Sequence, residues 1–150
     1  MSTEKEWLEQ RRNARVIAMK LMYLIDFPQS DADATYQWLT DREDTETGGC
    51  AMDDHDRSYV QNMLELLKTH GPEVDTQIKT HAKGWTFERI AKVDRAILRL
   101  AIVEMRYMDD IPAAVSMNEA VEIAKAYSGE KAGSFVNGVL ASVKKEMESV

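Results

Sequence analysis

The sequence predicts an all-α fold with about seven helices, on three observations. Apolar residues recur at three- and four-residue spacing through most of the chain, the signature of amphipathic helices. Gly and Pro fall between these segments as breaks. No segment alternates with period two for long, so a sheet has nothing to build it.

From Glu4 to about Ile25 there is no Gly or Pro, and Ala14, Ile17, Ala18, Leu21, Leu24 and Ile25 form a helical stripe. This predicts a long first helix ending before Pro28, since the residue ahead of a proline disfavours the helical conformation. A short second helix is expected around Ala34–Leu39, then an acidic, Gly-containing loop over about 41–56. Tyr59, Val60, Met63, Leu64 and Leu67 predict a third helix. Gly71-Pro72 reads as a break before a fourth, with Val74 and Ile78 inward and its end near Ala82.

Gly84-Trp85-Thr86 reads as the hinge into a second half, with Thr86 capping a turn that holds Phe87 and Ile90. The expected organisation is one domain over 1–150, with helical subdomains over about 1–83 and 84–150. Ile97, Leu98, Ala101, Ile102, Met105 and Met108 predict the next helix, with Asp94 favouring the positive end of its dipole. Asp109-Asp110-Ile111-Pro112 ends it, and Ser116-Met117-Asn118-Glu119 has the S-x-x-E form of a capping box for a helix to Tyr127. After Ser128-Gly129, the stripe Val136, Val139, Leu140, Val143 and Met147 predicts the last helix.

Composition narrows the function. With 150 residues, 44% hydrophobic and 30% charged, the chain reads as a soluble globular protein with a real core. A formal net charge of −7 argues against coating nucleic acid by bulk electrostatics, so any RNA contact must be local. Cys50 is the one cysteine, which suits a reducing cytosol. Glu4, Lys5, Glu6 and Glu9 open the chain in place of an apolar run, and charge interrupts every later apolar stretch, so neither a signal peptide nor a membrane span is expected. His55, His70 and His81 are not spaced for a shared metal, and no phosphate loop or nucleophile motif appears. The expectation is a non-enzyme without cofactor or metal.

Two constellations remain as candidate sites. Arg11, Arg12 and Arg15 lie within little more than one turn, on the side of the first helix away from Ala14, Ile17 and Leu21. That outward side continues through Met19, Met22 and Tyr23, combining phosphate-pairing guanidinium groups with a ring able to stack on a base. The alternative is structural: Arg11 and Arg15 pair with nearby glutamates, and Met19 and Tyr23 pack under a neighbouring helix. The second constellation, Gly129 to Gly138, brings Lys131, Phe135, Asn137 and glycines to a helix start, where free N–H groups receive anions. Phe135 as a core residue is the alternative there.

Five motifs in order carry a resemblance: Arg11-Arg12-Asn13-Ala14-Arg15 with Tyr23 eight residues on, Val93-Asp94-Arg95-Ala96-Ile97-Leu98-Arg99-Leu100-Ala101, Asp110-Ile111-Pro112, Asn118-Glu119-Ala120-Val121-Glu122-Ile123-Ala124-Lys125, and Phe135-Val136-Asn137-Gly138-Val139-Leu140. The chain resembles the NusB family over nearly its whole length, most specifically over 93–140 and hardly at all over 29–80. The resemblance implies two packed three-helix-type bundles. It also implies a factor that pairs with the small-subunit ribosomal protein NusE to hold single-stranded boxA RNA. The complex then joins the elongating RNA polymerase, with other Nus factors, against termination of ribosomal RNA synthesis.

Carried over position by position, Arg11, Arg12, Arg15, Tyr23 and Phe135 become RNA-site residues, with Lys131 beside them and Asn137 supporting the Phe135 turn. Glu88 and Asp94 fall where relatives face the ribosomal protein, although Asp94 is equally explained as a helix cap. Asn13 and Ser134 stand where relatives often carry basic residues, which predicts low affinity for RNA alone. Two rivals are a protein-only adaptor or homodimer docking through Met19, Met22 and Tyr23, and an enzymatic role, since NusB-like domains occur ahead of RNA cytosine methyltransferases. The 150 residues hold no Rossmann-like cofactor region.

Overall fold

The computed structural model describes residues 4–27, 34 and 54–149. Among these residues there are five α-helices and no strand: α1 (Glu4–Tyr23), α2 (Asp54–His81), α3 (Lys92–Tyr107), α4 (Ala113–Ser128) and α5 (Glu130–Glu148). Short 3-10 turns at Leu24–Asp26 and Phe87–Arg89 follow α1 and precede α3. The all-α class stands, and the count of about seven helices is not matched among the described residues. Apart from Ala34, which is helical, the helix expected over 34–39 lies outside the described residues, as does the acidic loop as far as residue 53.

The lost break is at Gly71-Pro72, where α2 runs straight through. Val60, Met63, Leu64, Leu67, Val74 and Ile78 are all buried, so one apolar stripe continues through the proline. Burial of that stripe outweighs the single backbone hydrogen bond a proline removes. The hydroxyls of Thr69 and Thr76 donate back to the carbonyls of Glu65 and Pro72 at 3.0 and 2.9 Å.

The chain forms two compact units, residues 1–64 and 65–150, and α2 contributes to both. In the first unit α1 gives way at Tyr23 to the 3-10 turn, closed by the Phe27 N–H donating to the Leu24 carbonyl at 3.0 Å. Phe27 is already extended, with φ −118° and ψ 101°, as suits a residue ahead of Pro28.

The second unit is built around α3, where every residue from Asp94 to Met105 is buried. α4 and α5 pack on α3 and on each other. This exceeds the single stripe expected of α3, and its polar members need partners inside the protein. Arg99 makes a two-pronged contact to Asp75, Nε to Oδ1 at 2.8 Å and Nη2 to Oδ2 at 3.2 Å. Glu104 accepts a hydrogen bond from the Ser116 hydroxyl at 2.9 Å.

That last bond corrects the capping box. α4 begins at Ala113, with Pro112 as its N-cap residue, so Ser116 and Glu119 lie inside the helix and point into the core. A proline at this position has no N–H to satisfy, which lets the helix start before the serine. α3 likewise starts behind an N-cap of Ala91, leaving Asp94 in the first turn and not at the cap. Thr86 precedes its turn without a side-chain cap bond.

Gly129, at φ 99°, ends α4, and α5 starts at the next residue. Gly133 and Gly138 therefore lie within a helix and not in a flexible helix start. A Cβ on Gly133 would come within 2.7 Å of Lys125 Cγ, so the absent side chain is what lets α4 lay Lys125 against α5.

Candidate functional site

In the first unit the three arginines of α1 have different surroundings. Arg11 forms an ion pair through Nη1 with Asp56 in the first turn of α2; the Asp56 side chain is 1% exposed and the Arg11 side chain 16%. Arg15 is buried, with its guanidinium carbon 6.0 Å from the centre of the Tyr59 ring. Met19 and Met22, expected on the outward side, are also buried. The three arginines therefore do not reach solvent as one row. The helical-wheel reading allowed a narrow burying face, whereas Ala14, Arg15, Ile17, Ala18, Met19, Leu21 and Met22 are buried over an arc of about 200° of the helix, with Asn13 and Lys20 exposed on the other side.

Arg12 and Tyr23 are each half-buried. Eleven residues apart, they lie within about 20° on the helix and about 16 Å along its axis. The Tyr23 ring leans on Phe27, centroids 5.0 Å apart at 54°. One side of α1 thus combines a guanidinium with an aromatic pair, chemistry suited to a phosphate and a base.

In the second unit Lys131 and Phe135 sit one turn apart on α5, Lys131 exposed and Phe135 half-buried. Asn137 is exposed, but a helix sets it about 200° round from Phe135. There is no turn at Phe135 for its side chain to support. The Phe135 ring meets Trp85, centroids 5.3 Å apart at 59°. Lys131, Phe135 and Trp85 thus form the second candidate surface.

Glu88 is exposed in the turn before α3, while Asp94 is buried. Phe87, next to Glu88, is ringed by cations, with Arg95, Lys79 and Arg99 at 4.9, 5.1 and 5.6 Å from its ring centre. Burial pushes the Asp94 carboxyl above its ordinary value of 3.8, against the opposing pull of a hydrogen bond with Ser128, and its Oδ1 has no hydrogen-bond partner. As pH rises from 3.8 toward the raised value, the unfolded chain ionises first and the folded state keeps the proton, so stability falls. Asp94→Asn is therefore expected to be more stable than the parent at pH 7, with the difference shrinking as pH drops toward 3.8. Paired urea titrations at the two pH values check this, and a less stable variant at pH 7 overturns it.

Sequence reasoning missed Asp56, Trp85 and Phe87. Asp56 sits in a run of acidic residues that reads as solvated. Trp85 reads as part of a hinge, although an aromatic between Lys83 and Phe87 was a usable signal. Among the described residues no three His, Cys, Asp or Glu side chains converge as a metal site, and no helix is long and apolar enough to cross a membrane.

Comparison with known proteins covers nearly the whole chain. Residues 12–145 match the NusB family. The transcription antitermination protein NusB of Acetivibrio thermocellus is 42% identical over 135 residues, 90% of this chain and 88% of that protein. Among solved structures, T. maritima NusB superposes with a TM-score of 0.75 at 31% identity, covering 97% of this chain and 94% of that one. The antitermination factor NusB, solved with NusE and double-stranded RNA, has the same fold, with a TM-score of 0.77 at 24% identity over 92% of this chain and 98% of that one.

Proposed function

This chain belongs to the NusB family, and on that premise we propose that it is a non-catalytic, RNA-binding transcription antitermination factor. With a NusE-type ribosomal protein it holds single-stranded boxA-type RNA, and with other Nus factors it joins the elongating RNA polymerase in the cytoplasm. The observation that carries this reading is the 42% identity to an antitermination protein across 90% of the chain. The one-domain organisation, divided near residue 83, belongs to the same proposal.

Within this reading, Arg12 contacts phosphate, and Tyr23 and Phe135 meet unpaired bases. Arg11 and Arg15 add positive charge to that stretch of α1 while holding Asp56 and lying over Tyr59. Lys131 pairs with a further phosphate, and Asn137 lies outside the Phe135 surface. Glu88 and Asp94 serve the ribosomal-protein side. Glu88 is the direct contact because it is exposed, and buried Asp94 acts by shaping the start of α3.

Fluorescence anisotropy of a labelled boxA-like RNA, at two salt concentrations with and without the ribosomal protein, tests the reading. Salt-sensitive binding that tightens with the partner is the expected result. Arg12→Ala should weaken it and reduce the slope of log K against log salt by about 0.7, the contribution of one phosphate contact on a single strand. Binding absent under every condition overturns RNA recognition and favours the protein-only adaptor or homodimer. An unchanged slope removes Arg12 from the site.

A further inference from the structure

Among the described residues of the second unit, Trp85, Tyr127 and Val115 are the large apolar residues left exposed, and Trp85 is the most open of the three. Its backbone N–H donates to the Ala82 carbonyl at 3.1 Å, directly after the left-handed turn at Gly84, where φ is 83°. Its side chain leans on Phe135 at a tilt, and the residue is still 54% exposed. A tryptophan that served only to fill the core would be covered, since the indole is a large apolar surface. An aromatic with one edge supported and one face open is a stacking platform.

The charges around it suit an anionic ligand. Lys83 is exposed two residues before the indole, and Lys131 is exposed one turn before its ring partner. Glu130 beside Lys131 is also exposed, so the surface is mixed and not a broad basic patch. In a chain of net charge −7, lysines beside an open indole backed by a second ring favour a backbone of phosphates carrying flat bases over a peptide recognised by its acidic charge alone.

We propose that Trp85 is a base-stacking residue, completing with Phe135 and the flanking Lys83 and Lys131 a two-ring platform for an unpaired base of the bound RNA. The inference rests on the RNA-binding reading above and adds to it a residue, a pairing of rings and a class of contact. Trp85 stacks on the base, Phe135 holds the indole upright, and the two lysines pair with flanking phosphates.

The test uses the full chain with its ribosomal protein and a labelled boxA-like single strand. Alanine replacement of a stacking aromatic removes about 1–3 kcal/mol per base, so Trp85→Ala should weaken RNA binding about 5- to 150-fold. Trp85→Phe should retain most of the affinity, because it keeps a ring. RNA carrying 5-iodouridine, irradiated on the unmodified protein, should crosslink to the peptide that contains Trp85, a readout independent of how the alanine variant folds. Trp85→Ala binding within twofold of the parent, while Arg12→Ala or Phe135→Ala binds poorly, would overturn the role of Trp85 and leave the RNA reading intact. Crosslinks that map only to other peptides would overturn it equally, as would a loss confined to ribosomal-protein binding. Failure of the unmodified protein to bind the RNA would overturn both.

Discussion

Arg11→Ala is expected to lower the unfolding free energy by about 3–5 kcal/mol, the cost of breaking a buried ion pair by removing one partner. The carboxylate concerned is Asp56, whose side chain is 1% exposed and pairs with the Arg11 guanidinium. His55 Nδ1 stands 3.8 Å from the same carboxylate oxygen, but its side chain is 68% exposed, and water screens what charge it carries. Removing both partners should cost less than the two single losses combined, since no unpaired carboxylate remains. Urea denaturation of Arg11→Ala, Asp56→Ala and the double variant measures this coupling. A change below about 1 kcal/mol for Arg11→Ala would show the pair to be solvated. The result also governs how RNA data are interpreted: binding lost in Arg11→Ala reports on the junction of α1 with the first turn of α2, whereas Arg12→Ala reports on a phosphate contact.

Leu98→Ala is expected to cost about 2–5 kcal/mol, the range for truncating a buried leucine and leaving a cavity. Leu98 is fully buried near the middle of α3, within the run from Asp94 to Met105 that has no exposed residue. Against a total stability of about 5–15 kcal/mol for a domain, such a loss is a large fraction. In urea the midpoint should fall with little change in slope, since the surface exposed on unfolding is almost the same. Val115→Ala, at a position 42% exposed, should stay within about 0.5 kcal/mol and serves as the control. Equal effects at the two positions would mean that α3 is not the centre of its unit.

How much was legible beforehand differs between elements for identifiable reasons. The first helix, the helix around Ile97–Met105 and the final stripe from Val136 to Val143 all stand, because in each the apolar spacing and the breaking residues agree. At Gly71-Pro72 they disagree. A local rule predicts a stop, but the stripe from Val60 to Ile78 continues, and burial of the whole stripe prevails. The motif Ser116-Met117-Asn118-Glu119 has the right letters for a cap and is used otherwise, since Glu104 on the preceding helix takes the serine hydroxyl.

The candidate sites divide in the same way. Residue types at helical spacing were enough to single out Arg12, Tyr23, Lys131 and Phe135, because periodicity is a local property of the chain. The sequence by itself thus determined an all-helical protein, its family, and a short set of cationic and aromatic residues. Only the tertiary structure decided that Arg11 holds Asp56, that Arg15 and the methionines of α1 are buried, and that Trp85 stands against Phe135. Arg11 meets Asp56 and Trp85 meets Phe135 across 45 and 50 positions of the chain, and spacing along one helix carries no information about such encounters.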